Sequence, residues 1–117
     1  MNIKKRNKQL YTARAVVETS EHCECENCLF YAAHIESNTT LVTFLEGIGI
    51  DPRKADEVWC YMEEDRQKHY TVDFFEIYAE QEETHIFEHA KVVIVANPYA
   101  ENGRLPYALS IDVVLKM

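Results

Sequence analysis

Four stretches in the later part of the chain have the composition of β-strands, since β-branched and aromatic residues stand between turn-forming ones. They cover residues 58–62, 69–79, 91–96 and 107–115. The last stretch alternates apolar and polar side chains, whereas residues 91–96 are almost continuously apolar, which predicts a strand buried on both faces. In residues 69–79 the alternation changes phase at Phe74 and Phe75, and one extra residue there predicts a β-bulge.

Two segments before these strands repeat apolar residues at spacings of three and four, which predicts amphipathic helices. The first covers residues 28–35, and the second covers residues 41–48 after a Ser-Asn-Thr-Thr segment that offers an N-cap. Asp51 and Pro52 predict a third, short helical turn. The apolar stripes consist of Cys28, Tyr31, Ala32 and Ile35 in the first helix and of Leu41, Phe44, Leu45 and Ile48 in the second.

The remaining segments complete a single-domain prediction. Residues 1–8 are mostly polar and basic, which predicts a flexible arm, and the alternation over residues 10–18 predicts a first strand. Residues 80–89 are acidic and predict either a short helix or a wide turn. Because the helices are grouped and the later strands are joined by short turns, we expect an α+β domain over residues 9–117. It should hold a mainly antiparallel sheet of about five strands with two or three helices packed on one face, in the order β-α-α-β-β-β-β.

The charge of the chain is unevenly distributed. The net charge is −8, yet the first ten residues contain four basic side chains and no acidic one. An acidic body disfavours nucleic acid and favours either a basic protein partner or simply a solvated surface. The basic arm could contact nucleic acid or an anionic membrane, or it could be a frayed terminus. No signal peptide or membrane span is visible, so we expect a cytoplasmic protein, while the oligomeric state stays open.

Three of the four cysteines lie within six residues of one another, beside a histidine. Cys25 and Cys28 have the Cys-x-x-Cys spacing with which two thiolates converge on one ion, and thiolate with imidazole suits tetrahedral zinc. We therefore predict a zinc site formed by His22, Cys23, Cys25 and Cys28. Only half of a zinc ribbon is present, so a fourth ligand could also come from elsewhere. The candidates for it are His34, Cys60, His85 and His89.

The same thiols allow two other interpretations. A Cys-x-x-Cys pair at the start of a helix can act in thiol redox chemistry, because the helix N-terminus favours the thiolate. Glu24 and Glu26 oppose that effect, and the predicted antiparallel sheet lacks the βαβ context of thioredoxin-like proteins. Alternatively, Cys28 is a core residue and the other two cysteines are incidental thiols in a loop.

Other polar clusters carry less information. His85 and His89 have the i, i+4 spacing of a helical metal pair but lie in the ambiguous acidic segment. Glycine-rich phosphate loops and Gly-x-Ser-x-Gly motifs do not occur, which leans against an enzyme without deciding it. Trp59, Tyr61, Tyr70 and Phe74 can cluster on neighbouring strands, which is typical of a core, although an exposed face of such residues would make a binding surface. We expect a small non-enzymatic protein-binding module with a zinc loop; a redox protein and an acidic inhibitor of a basic partner are the alternatives.

Overall fold

The chain folds into a group of helices followed by a group of strands, in a computed structural model that describes residues 2–17 and 23–117. Within these residues the model contains three α-helices and five strands, which confirms the predicted α+β class. Short 3₁₀ turns occur at Ile35–Ser37, Pro52–Lys54 and Ala100–Asn102. The helices are α1 (Ile3–Tyr11), α2 (Glu26–His34) and α3 (Thr39–Gly47), and the strands are β1 (Glu57–Glu64), β2 (Gln67–Ile77), β3 (Glu83–Phe87), β4 (Ala90–Ala96) and β5 (Tyr107–Lys116).

The described strands form one antiparallel sheet in the order β1-β2-β5-β4-β3. The hairpin from β1 to β2 turns through Asp65 and Arg66, which both have positive φ, as a two-residue type I′ turn requires. The predicted bulge is also confirmed. Phe74 lies opposite Leu109 and Ile77 lies opposite Tyr107, so β2 contains one more residue than β5 between these pairs.

The helices pack on one face of the sheet, as predicted. Tyr11 of α1 meets Phe74 of β2 edge to face at 5.3 Å between ring centroids, and Tyr31 of α2 lies 5.4 Å from Tyr70. Edge-to-face and tilted pairs of this kind add to the stabilisation that burial provides. The buried core includes the helical residues Cys28, Tyr31, Ile35, Leu41 and Leu45 and the strand residues Tyr70, Val72, Phe74, Val92, Ile94, Leu109, Ile111 and Val113.

The prediction for the N-terminal segment is wrong in its local structure. Residues 3–8, expected in a flexible arm, belong to α1, and the predicted strand over residues 10–18 begins inside that helix. Residues 12–17 form no strand, and Glu18 lies outside the described residues. The reason is that Asn7 is fully buried: its side-chain amide bonds the backbone of Ile48 and Tyr78. Because one of the buried positions of α1 holds a polar residue, its sequence lacks the apolar spacing of three and four that indicates an amphipathic helix.

Two further details of the sheet differ from the sequence prediction. Part of the acidic segment forms the short edge strand β3 rather than a helix or a turn alone. Strand β4 is also buried on one face only, because Lys91 and Val95 point to the exposed side of the sheet. An antiparallel sheet with helices on one side leaves its other face to solvent. Among the described helices, none has the length and apolar character that crossing a membrane requires.

Candidate metal centre

The start of α2 brings the cysteine segment into a compact turn. Cys25 occupies the N-cap position, and its sulfur accepts a hydrogen bond from the backbone N–H of Cys28 at 3.4 Å. The Cys25 carbonyl accepts the N–H of Leu29 at 2.9 Å, which starts the helical hydrogen-bonding pattern. Side-chain capping satisfies one of the backbone donors that every helix leaves free at its N-terminus. The Cys-x-x-Cys spacing is therefore folded as a cap with both sulfurs on one side.

The sulfur atoms of Cys23, Cys25 and Cys28 all lie within 4.8 Å of one another. Four sulfurs around zinc, each at about 2.3 Å, would stand about 3.8 Å apart, so small side-chain rotations bring these three to ligand distance. Their exposure is graded: Cys28 is buried, Cys23 is half-buried and Cys25 is exposed. The cluster thus has a closed side toward the core and an open side at Cys25.

Hydrogen bonding and burial shift the pKa values of Cys25 and Cys28 in opposite directions. The pKa of Cys25 is lowered, first by the hydrogen bond from the Cys28 backbone N–H and then by a hydrogen bond from the Cys23 side chain. The pKa of Cys28 is raised, chiefly because burial disfavours its thiolate and further by its bonds with Cys23 and Cys25. A metal ion would reverse the second effect, since a coordinated thiol loses its proton.

Strand β2 contacts the cysteine turn through two hydrogen bonds to Asn27. The Tyr70 hydroxyl donates to the Asn27 carbonyl at 2.7 Å, and the Lys68 ammonium donates to the Asn27 side chain at 2.8 Å. Lys68 is buried, and its ammonium also lies 3.4 Å from a carboxylate oxygen of Glu63 and 5.3 Å from the centre of the Phe30 ring. These contacts hold Asn27, one of the two residues between Cys25 and Cys28, against β2.

The other proposed ligands lie elsewhere. Cys23, Cys25 and Cys28 are brought together, whereas the predicted ligand His22 lies outside the described residues. His34 ends α2, with its ring centroid 4.2 Å from that of Phe30, and Cys60 lies on β1 with its sulfur 3.6 Å from the Met62 carbonyl. Within residues 2–17 and 23–117, the three clustered cysteines are the only set of three or more His, Cys, Asp or Glu side chains close enough together to hold a metal ion.

The histidine pair of the acidic segment does not form the helical site that its spacing allows. His85 lies on β3, with its ring 4.4 Å from that of Phe44. His89 follows β3 in the turn to β4 and has a positive φ of 61°. In a helix, residues i and i+4 lie one above the other on one face, but here His85 lies in a strand and His89 in the turn after it, so that helical arrangement is absent. These residues therefore supply no shared ligand pair.

Sequence reasoning missed Lys68 and Tyr70, although their positions carried a signal. Residues 68, 70, 72 and 74 share one phase of β2, and all four are buried. A lysine in the phase of the core residues is rarely buried without a partner. That partner, Asn27, is 41 positions away along the chain, so only the folded structure identifies it.

A second polar cluster surrounds the bulge of β2. Asp56 accepts hydrogen bonds from the Tyr11 hydroxyl at 3.1 Å and the Phe75 backbone N–H at 2.8 Å, and it pairs with Arg14 at 2.8 Å. Its side chain is 8% exposed. Both Asp56 carboxylate oxygens have partners within the protein, so this cluster links α1 and the residue Arg14 after it to the sheet.

Comparison of the chain with protein families, with curated proteins and with solved structures finds no match. The functional assignment therefore depends on the geometry and chemistry of the chain itself.

Proposed function

We propose that this chain is a small non-enzymatic protein-binding module in which Cys23, Cys25 and Cys28 hold a zinc ion. The single observation that carries the metal assignment is the approach of three thiol groups to within 4.8 Å of one another. Thiolates are soft ligands that suit zinc. Zinc is usually tetrahedral, so three thiolates leave one coordination position for a fourth ligand. His22, one residue before Cys23, is the proposed fourth ligand.

The surroundings of the thiols support a structural role for the metal. Lys68 donates a hydrogen bond to the Asn27 side chain and so helps to hold the turn that carries the thiols. Hydrogen bonds from β2 to the same asparagine orient the turn, as outer-shell partners commonly do for metal ligands. A bound ion would join the segment before α2 to the first turn of that helix.

X-ray absorption at the zinc edge of zinc-loaded protein tests the ligand set. We expect three sulfur neighbours at about 2.3 Å and one lighter neighbour at about 2.0–2.1 Å. In His22→Ala the lighter imidazole signal should be replaced by that of water, with the sulfur count unchanged. A zinc environment made only of nitrogen and oxygen would refute the proposed site.

Thiol redox chemistry is the second candidate, and the contrast between Cys25 and Cys28 favours it. An exposed thiol of lowered pKa paired with a buried thiol of raised pKa is suited to disulfide exchange. The Cys25 thiolate would attack one sulfur of a substrate disulfide and release the other as a thiolate. Cys28 would then lose its proton and attack the Cys25 sulfur, which leaves a Cys25–Cys28 disulfide and releases the reduced substrate. Reduction of an insulin disulfide by the metal-free protein, abolished in Cys25→Ser, would establish this candidate, and inactivity of the wild-type protein would exclude it.

A further inference from the structure

Three large side chains of the edge strand β1 are exposed on the face of the sheet that points away from the helices. Trp59 is 63% exposed, Tyr61 is 51% exposed and Met62 is 40% exposed. Trp59 lies opposite Thr71 of β2, and the Tyr61 ring lies 6.0 Å from that of His69. Clustered exposed aromatic residues are typical of binding surfaces rather than of inert ones.

The outer side of the β1 backbone faces no other strand of the described chain. Within the part of the chain that the structure describes, β1 pairs with β2 alone, so it forms one edge of the sheet. An edge strand presents unpaired N–H and C=O groups to any extended segment that approaches it. Lysine and proline, which commonly protect such edges, do not occur in β1, and the register shift between Cys60 and Met62 leaves regular pairing with β2 on both sides of it, at residues 57–60 and 62–64. Both the backbone and the side chains of this strand therefore suit strand addition.

The charges around the strand select the partner. Glu57 and Glu64 lie at the two ends of β1, Asp73 lies opposite Glu57, and no base lies within β1. Lys68 of β2 lies opposite Glu63 and is buried, with its ammonium 3.4 Å from the Glu63 carboxylate. Antiparallel pairing of β1 with a second copy of itself, centred on the strand, would set Glu57 against Glu63 or Glu64. Like charges directly opposite each other destabilise a strand pair. Lysine or arginine opposite these acids would instead form ion pairs, and their side chains can also lie over Trp59 and Tyr61.

We infer that β1, together with Trp59, Tyr61 and Met62, binds an extended basic segment of another protein by strand addition. This inference deepens the proposed binding role and rests on it. It does not depend on the metal, because the cysteine turn lies on the helix side of the sheet, where α2 packs on Tyr70. A chain with this property could mask a basic surface of its partner.

A ten-residue peptide that alternates lysine with threonine is the probe, and the same peptide with glutamate in place of lysine is its control. Binding is measured by fluorescence anisotropy at low salt, and the contact surface is mapped by amide chemical shifts. The matched variants are Trp59→Ala and Ile86→Ala, since Ile86 is 80% exposed on the opposite edge strand. We expect the lysine peptide to shift the β1 amides and to bind Ile86→Ala as it binds the wild type. Trp59→Ala should weaken binding about tenfold or more, and added salt should weaken it in every variant.

Several outcomes would overturn the inference: absence of binding, equal binding of the glutamate peptide, unchanged binding by Trp59→Ala, or shifts centred outside β1. A Trp59-dependent dimer in sedimentation would also overturn it, because the occupant would then be a second copy. Matching thermal unfolding of the two variants shows that a loss of binding is not a loss of fold. Zinc content is measured on the same samples: peptide binding without zinc would refute the metal site alone, and zinc without peptide binding would refute the surface alone.

Discussion

Asn7 of α1 and Tyr78 at the end of β2 exchange two hydrogen bonds. The Asn7 side chain accepts the Tyr78 backbone N–H at 2.7 Å and donates to the Tyr78 carbonyl at 3.1 Å. Its amide also donates to the Ile48 carbonyl at 2.9 Å, and the side chain is fully buried. One buried amide thus joins the first helix to the sheet and to the end of α3.

Replacement of this amide should be costly. In Asn7→Ala the Tyr78 N–H and two carbonyls lose their partner, so we expect the free energy of unfolding to fall by about 2–4 kcal/mol. Asn2→Ala is the matched control, because Asn2 only caps the exposed start of the same helix and should cost about 0.5–1 kcal/mol. Urea unfolding of both variants measures the difference. Equal losses would show that the Asn7 contacts do not hold α1 in place.

Gly49 makes a second contact between α1 and the end of α3. Its φ is +79°, and a Cβ atom at this position would overlap the Lys4 carbonyl. Gly49→Ala should therefore destabilise the protein by about 3 kcal/mol, through backbone strain and displacement of α1. Gly47→Ala meets no atom within 4 Å, so it should be neutral or slightly stabilising in its helix. Thermal unfolding compares the two, and similar melting temperatures would contradict the described packing of α1.

Three buried tyrosines should make the protein sensitive to alkali. Burial is the main cause of the raised pKa of Tyr11, Tyr31 and Tyr70. The contribution of these tyrosines to stability is therefore constant below pH of about 10, the ordinary tyrosine pKa. It falls as the pH rises above that value, because the unfolded chain then loses protons that the folded chain retains.

Tyr70→Phe provides the test of this alkaline effect. It removes one of the three buried phenols and the hydrogen bond to Asn27, so it should cost about 1 kcal/mol near neutral pH and reduce the loss above pH of about 10. Tyr99→Phe, at an exposed side chain, is the control. Urea unfolding between neutral and alkaline pH measures both. A Tyr70→Phe variant with the wild-type alkaline slope would contradict the burial assigned to this phenol.

The two thiols of the Cys-x-x-Cys pair should differ in reactivity when no metal is bound. Iodoacetamide reacts with the thiolate, so the lowered pKa of Cys25 predicts rapid alkylation with a midpoint below the ordinary value of about 8.5. Cys28 should react slowly, because it is buried and its pKa is raised. Peptide mass spectrometry after timed alkylation at several pH values identifies each site. Equal rates at the two cysteines would contradict the arrangement of the turn.

The periodic elements could be predicted from sequence because their exposed and buried faces differ in polarity. The predicted stripe of Cys28, Tyr31 and Ala32 in α2, with Ile35 directly after that helix, is buried throughout. The bulge of β2 occurs at the predicted change of phase. Helix α1 was missed because Asn7 occupies a buried position, where its hydrogen bonds replace apolar contact. Strand β3 was missed because it is short, acidic at its start and defined mainly by its pairing with β4.

Part of the candidate site could also be predicted from sequence, and part of it could not. Cys23, Cys25 and Cys28 are so near in sequence that a turn alone brings their sulfurs together, and their convergence could be foreseen. The support from Lys68 and Tyr70 could not, because it depends on how β2 lies beneath α2. Likewise, the exposure of Trp59 depends on its lying opposite Thr71, on the sheet face away from the helices, which the sequence of β1 does not state.

Metal content and a native thiol count, taken together on untagged protein purified under reducing conditions, test the zinc site most directly. We predict one zinc per chain, with Cys60 the cysteine that reacts before chelation and the three clustered cysteines reacting only after it. Cys60→Ser should keep the metal, whereas Cys28→Ser should lose it. A chain without zinc whose four thiols react alike with and without chelator would contradict the account.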